Sequence, residues 1–321
     1  MPQTFRVCLA CMLMVLSLFA VSLADETGAF PPLTAEGFLP EGSEEFLYED
    51  AQGGVWRYAS DTLRVEIFRL EENKPNHVWY EAEVWTKDDV PHMIANDPDK
   101  RMTSLAYPYR IARKYQVVLA INSDFAHLRI SQKAKAGIIL REGQIVKDQG
   151  KARNRNQFPN LDTLAIFPDG DMQVFYSDEK TAEEYLEMGA RDVLAFGPWL
   201  IRDGEINEEG IKKYGTGSAQ RTGVGMIEKG HYVFVMVEGR QKGTTSGASI
   251  AFVASRLQAK GCQVGFNLDG GQSSAIVFMG KQICTVVNSS GNKASARKAA
   301  EILGIGHSTL VAGDDEKMSD Q

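Results

Sequence analysis

Three short segments of this chain are each written as a strand, an acid–glycine turn and a returning strand: "AGIILREGQIV" (136–146), "LAIFPDGDMQVFY" (164–176) and "GPWLIRDGEIN" (197–207). Acid–Gly pairs tolerate the backbone that tight hairpins need, so each segment commits its flanks to antiparallel pairing. The chain around them keeps the same bias. "RVEIFRL" and "HVWYEAEVW" alternate apolar and polar residues at period two, as half-buried strands do. "QVVLAI" is an uninterrupted apolar run, as in a strand covered on both faces. Helical signals are fewer. "PYRIARKY" reads as a short helix, and Thr181 and Gly189 bracket another over "TAEEYLEMG". Ser246 is the expected N-cap of a third in "SGASIAFVASRLQAKG", with Gly261 at its stop. Strands with helices interposed predict an α+β (mixed α/β) class: one large domain with a mixed β-sheet, several hairpins and packed helices.

The ends of the chain read differently. "MPQTFRVCLACMLMVLSLFAVSLA" has Arg6 as its one charge, an apolar core, and small residues at Ser22 and Ala24. That is the layout of a secretory signal cleaved after Ala24, and uncleaved it would be the chain's expected membrane contact. The expectation is export, either to a periplasm or out of the cell. Residues 25–54, rich in Gly, Pro and Glu, read as a mobile leader, 55–313 as one catalytic-sized domain and 314–321 as a polar tail. Without residues 1–24 the formal charge of the 321-residue chain moves from −7 to −8. That sign argues against nucleic acid as a partner, and oligomeric state stays open. Cys8 and Cys11 leave with the signal, so Cys262 and Cys284 either pair in an oxidising compartment or stay as buried thiols.

Two strand ends share one construction. "VVLAINSDF" places Asn122 and Asp124 beyond an apolar run, and "QVGFNLDGG" does the same with Asn267 and Asp269. Ligands of open α/β sheets gather beyond such strand ends, and the alternation of side chains puts Asn and Asp on one side. Either pair alone would read as a turn former. Together, with Gly270, Gly271, Ser273 and Ser274 following Asp269, they read as a site where backbone approaches a ligand. Arg221 opens a later strand, and Glu238-Gly239-Arg240 ends the next, before a loop of Gly, Thr and Ser. Amides at the following helix start, with arginines nearby, would hold an anion such as phosphate; a capped helix with solvated arginines is the plainer alternative. The histidines, His77, His92, His127, His231 and His307, make no HxH or HExxH spacing, so no metal site is expected. Trp56, Trp79, Trp85 and Trp199 read as core or sheet-face aromatics, with sugar stacking as the alternative.

In order along the chain, these pieces resemble the phosphodiester glycosidase family, which includes the uncovering-enzyme catalytic domain and bacterial proteins described as exopolysaccharide-biosynthesis-related. The resemblance spans Val55 to Gly313. It is carried by "AINSDF", "FGPWLIRDGEI", "RTGVGM", "VEGRQKGTTSGASI", "NLDGGQSS" and the closing "VVNSSGNKASARKAAEILGI". Glu238 stands where the family usually carries Asp, and Gln272 where a third glycine is common.

The resemblance implies hydrolysis of the sugar C1–O bond of a sugar 1-phosphodiester, with a carbohydrate phosphodiester as partner and no cofactor. Asp124, Asp269 and Glu238 are then the catalytic candidates. Asn122, Arg221, Arg240, Ser246, Asn267, Gly270, Gly271, Ser273, Ser274, Asn288 and Arg297 are the substrate-binding ones. Cleavage of the P–O bond instead, and a non-catalytic glycan-binding role, remain as alternatives.

Overall fold

The computed structural model describes residues 28–73, 76–97, 104–124, 137–149, 161–214, 217–311 and 313. The segment read as a secretory signal, residues 1–24, lies outside them, as does the polar tail, 314–321. Among the described residues no helix is long and apolar enough to cross a membrane.

The molecule is sheet-dominated, at 44% strand and 13% helix. Nine strands form the largest sheet. Its first half runs β1 (Phe46–Asp50), β2 (Val55–Ala59), β3 (Leu63–Asn73) and β4 (Asn76–Thr86). It continues through β15 (His231–Val237), β14 (Arg221–Glu228), β16 (Val264–Asn267), β12 (Trp199–Arg202) and β13 (Glu205–Ile206). A five-stranded sheet follows the order β10 (Met172–Phe175), β9 (Asp162–Ile166), β11 (Asp192–Phe196), β7 (Gly137–Arg141) and β8 (Gln144–Gln149). The third sheet is β18 (Lys281–Gln282), β17 (Ile276–Phe278), β6 (Val117–Asn122), β19 (Glu301–His307) and β5 (His92–Ala95).

All three sheets are antiparallel, which corrects the expected mixed sheet. The acid–Gly hairpins join neighbours head to tail, and the helical crossover through Ile250–Ala259 sets β15 and β16 on either side of β14, each antiparallel to it. The expected leader is also joined to the body. Phe38 and Leu39 are buried, the Leu39 amide donates to the Ser60 carbonyl at 2.9 Å, and β1 pairs with β2.

Among the described residues four helices dress the sheets: α1 (Pro108–Lys114), α2 (Ala182–Glu187), α3 (Glu208–Tyr214) and α4 (Ile250–Ala259). The first two and α4 fall where the sequence places them, and Thr181 and Glu184 close α2 with a reciprocal capping box. The N-cap of α4 is Ser249, which accepts from the Phe252 amide, and not Ser246. Gly247 between them has a left-handed backbone (φ 75°), so the helix cannot begin until after it.

The main core lies between the sheets. β15 shows how: Tyr232, Phe234 and Met236 face that core, while Val233, Val235 and Val237 face a second cluster with Ile250, Val253 and Leu257 of α4. β14 admits the helix by leaving out side chains. A Cβ on Gly223 would meet Val253 at 2.5 Å, and one on Gly225 would meet Cys262 Sγ at 2.7 Å and the Val264 carbonyl at 2.9 Å. Because one obstacle is backbone, Gly225→Ala should cost about 1–3 kcal/mol. Chemical denaturation checks this, and unchanged stability would mean that the helix can lift away.

Candidate active site

The two Asn-x-Asp strand ends come from different sheets, β6 and β16, and meet. The meeting is made by one amide. Asn122, 3% exposed, accepts hydrogen bonds at Oδ1 from Thr222 Oγ1 (2.8 Å) and the Ala275 amide (2.9 Å). Its Nδ2 donates to the Asp269 carbonyl at 2.8 Å and the Ser123 carbonyl at 3.2 Å. Both lone pairs and both hydrogens are therefore used, and the side chain has nothing left for a sugar hydroxyl. Asn122 is a clasp, and the Asp269 amide completes it by donating to the Ser123 carbonyl at 3.2 Å.

Asp269 emerges from this clasp. Its Oδ1 accepts from the Gly270 amide at 2.9 Å, and the Ser273 hydroxyl also bonds the carboxylate. Burial nevertheless pushes the Asp269 carboxyl up to about 6, against the pull of Ser273, Arg297 and the Gly270 amide, and the charge of Asp124 adds to the rise. Asp124 itself is buried. Two carboxylates that feel one another in a shielded place resist ionising together. Behind them sits a buried ion pair that the sequence reading did not single out. Arg141 holds both oxygens of Glu301, and its guanidinium also donates to the Val193 carbonyl at 2.6 Å. Burial draws Arg141 down, but Glu301 first, then Asp192 and Asp124, hold it above the ordinary arginine range.

Next to the Asp269 loop lies positive charge of a different kind. A Cβ on Gly270 would stand 2.8 Å from the Gln220 carbonyl and 3.7 Å from Arg221 Nη1, so only glycine lets the loop lie against this arginine. Arg221 is 9% exposed and donates to the carbonyls of Ala248 (3.2 Å) and Gly217 (2.5 Å). Among the described residues no carboxylate lies within ion-pair distance of it. Burial and the neighbouring Arg240 charge push its guanidinium down to about 10. Two guanidiniums close together without a counter-ion form a receptor for an anion.

The other expected residues take definite places. Gly271 to Ser273 form one 3-10 turn after Asp269, with Ser274 fully buried behind it. Asn267 donates to the Gly197 carbonyl at 2.8 Å. Asn288 accepts from the Ser290 and Asn292 amides, so it shapes a turn that packs beside Arg240. Arg297 is exposed and acts on Asp269 through its charge. Glu238, 3% exposed, is fully engaged: Oε1 takes the Thr285 amide (2.7 Å) and the Tyr80 hydroxyl (3.2 Å), and Oε2 takes Gln241 Nε2 (2.9 Å).

The amides expected to cradle an anion before the helix are spent internally, which corrects that part of the reading. Ser246 N donates to the Asn76 carbonyl, Gly247 N to Thr245 Oγ1 and Ala248 N to the Ala219 carbonyl. The Ser246 hydroxyl also turns to the Asn76 carbonyl, at 3.1 Å. Trp56, Trp79 and Trp199 are buried, and Trp85 is layered between Arg64 and His231. Cys262 and Cys284 are free buried thiols, each pushed up to about 12 by burial. Gln220 and Thr222 escaped sequence reading because their partners, Val287 and Asn122, are remote in the chain.

A carboxyl that burial drives up to about 6 is ionised at neutral pH at a cost to the fold. The native state binds its proton more tightly than the unfolded chain does, so this stability is present below about pH 4 and lost as pH rises through about 6. Asp269→Asn should therefore raise thermal stability at pH 7, by up to about 3 kcal/mol, with the gain vanishing near pH 4. Melting curves at the two pH values check this; a variant less stable at pH 7 would contradict it.

Against known proteins, the phosphodiester glycosidase family model matches residues 115–306, which hold both strand ends, the arginines and the clasp. The SPbeta prophage-derived uncharacterized protein YomE of Bacillus subtilis (strain 168) is 28% identical over 175 residues, 54% of this chain. The match spans only about a quarter (26%) of that relative's length. Among solved structures, the fold is shared with the zebrafish N-acetylglucosamine-1-phosphodiester alpha-N-acetylglucosaminidase catalytic domain auto-inhibited by pro-peptide. That match has a TM-score of 0.59 at 18% identity, covering 83% of this chain and 88% of that one. A hypothetical protein from Synechocystis shares it at a TM-score of 0.51 and 14% identity, over 77% of this chain and 62% of that one. With more than half of its length matched and its clasped carboxylate loop inside the match, the chain belongs to the phosphodiester glycosidase family.

Proposed function

We propose that this chain is an exported hydrolase that cleaves the sugar C1–O bond of a sugar 1-phosphodiester in envelope or exopolysaccharide-type glycans. The observation that carries the reading is the raised carboxyl of Asp269 set against Arg221 across one glycine, with the charge of Arg240 felt at Arg221 and, among the described residues, no carboxylate in ion-pair distance of either arginine. A carboxyl able to attack or activate water beside cations able to hold a phosphate supports this reading. The family and the fold shared with a phosphodiester glucosaminidase support the same chemistry. The segment 1–24 supports export.

The chemistry follows from the leaving group. A phosphomonoester departs from C1 with the bonding electron pair on its own oxygen and needs little protonation. The demand falls instead on the electron-poor C1 centre and on the charge that leaves. Asp269 and Asp124 face the first, stabilising the developing cation and supplying a carboxylate as nucleophile or as the base for water. Arg221 and Arg240 face the second, holding the departing phosphate as its charge grows. Water supplies the oxygen that ends on C1 and the proton that balances the products. Asn122, Glu238 and the Arg141–Glu301 pair position these groups and do not touch the reacting atoms.

Turnover of synthetic sugar 1-phosphodiesters in oxygen-18 water tests this directly. Label is expected on the released sugar, and Asp269→Asn should lose at least about 10²-fold in rate. The wild-type kcat/KM should fall about tenfold per unit below pH 6, the value at which Asp269 takes up its proton. Label on phosphate would instead establish P–O cleavage and overturn the reading.

A further inference from the structure

At Arg240 the surface opens into a cleft of about 350 Å³. Its walls include Asn76, Arg240, Gln241, Lys242, Thr245 and Ser246. The composition is one-sided: two cations, two amides and two hydroxyl-bearing side chains, with no carboxylate and no apolar side chain in the lining. The frame is fixed from several directions. Gln241 and Thr245 pair across the loop as an antiparallel bridge, and Thr245 and Ser246 both donate to the Asn76 carbonyl. Gln241 is held from behind by Glu238 at 2.9 Å. Arg240 has a left-handed backbone (φ 54°), uncommon for a residue with a side chain, and its carbonyl lies where a Cβ on Gly291 would stand at 2.7 Å. A strained backbone that neighbours hold in place is a mark of a functional position. Lys242 is exposed and enters none of the described ion pairs.

From this we infer a second anion subsite: the cleft receives a second phosphate, carried on the leaving-group side of the substrate. The inference rests on the reading of Arg221 and Arg240 as the holder of the scissile phosphate. Arg240 belongs to both places, so an occupant of the cleft is continuous with that phosphate. A neutral aglycone would leave both cations, Arg240 and Lys242, unmatched. The substrate class that fits is a sugar 1-phosphodiester whose aglycone bears a further phosphate, as in a chain of repeating phosphodiesters. A reaction that polymerises glycosyl phosphates would supply it.

Binding and turnover test this separately. Calorimetry would compare propane-1,3-diyl bisphosphate with inorganic phosphate on the full chain, on Lys242→Ala, and on Lys212→Ala, a charge control on α3. The bisphosphate should bind wild type and Lys212→Ala at least about tenfold tighter than phosphate, and that gap should close in Lys242→Ala. Equal binding of the two probes to wild type, or a gap that survives in Lys242→Ala, would overturn the subsite. In turnover, a glycosyl 3-phosphopropyl phosphodiester should exceed its ethyl counterpart about tenfold in kcat/KM, and Lys242→Ala should erase the ratio. Equal rates on the two would also overturn it. A bisphosphate preference that depends on Lys242, with neither ester hydrolysed, would sink the glycosidase reading and leave the subsite standing.

Discussion

The Asn122 side chain is the constraint on which the rest of the site depends. Four hydrogen bonds from one amide join the end of β6, Thr222 on β14, the start of the chain that returns as β17, and the carbonyl of Asp269. These segments belong to two sheets, and no backbone ladder runs between them at this point. The amide is nearly fully buried, so a lost partner would leave a polar group without water to replace it. The geometry is thereby all-or-none. Asp269 cannot shift relative to Asp124 without breaking a bond that has no substitute. A loop with several glycines, which would otherwise be conformationally loose, becomes a fixed mount for a carboxylate.

Electrostatics works against stability around that mount. Asp269 is driven up to about 6 and Arg221 down to about 10, each chiefly by burial and each further by a neighbour of its own charge. Like charges have been gathered on the two sides of one glycine; Ser273, Gly270 and Arg297 relieve Asp269 only in part, and among the described residues no carboxylate pairs with Arg221. A protein selected for stability alone would exchange these neighbours or expose them. A ligand carrying a positive centre at one end and a phosphate at the other relieves both at once, and the relief is greatest when those charges are fullest. On the proposed reading, the arrangement that weakens the empty fold is the one that favours separation of C1 from phosphate. The Arg141–Glu301 pair shows the contrast: buried too, but matched, and so without demand on a ligand.

How much of this the sequence discloses depends on range. Signals contained within a few residues were legible: the acid–Gly hairpins, the Thr181 cap, the Gly261 stop, and the two Asn-x-Asp strand ends. The error at Ser246 is also local, since "SGAS" offers two serines three residues apart and only the left-handed Gly247 decides between them. What could not be read was pairing at a distance. β4 lies beside β15 across roughly half the chain, and β6 lies between β17 and β19. No local pattern distinguishes such long antiparallel ladders from a mixed sheet, because a strand covered on both faces has the same apolar run in either. Asn122 was noticed for its motif, yet its task belongs to Thr222 and Ala275, and Arg141 read as nothing more than the flank of a turn.

Glu238 joins these threads. The family usually carries the shorter Asp at this position, and here the longer side chain reaches three donors on three segments: Tyr80 on β4, the Thr285 amide, and Gln241 on the cleft loop. Arg240 and Gln241 follow it after one glycine, so what fixes this carboxylate also fixes the wall that carries the arginine. Its negative charge is satisfied by neutral donors rather than by a cation. Neither Arg240 nor Lys242 is therefore neutralised from behind, and the positive potential of the wall is left to face outward. A buried carboxylate near Asp269 invites a catalytic assignment. Under the proposed function, the number and direction of its hydrogen bonds argue for a different division of labour, with Glu238 building the wall of the cleft and Asp269 meeting the sugar.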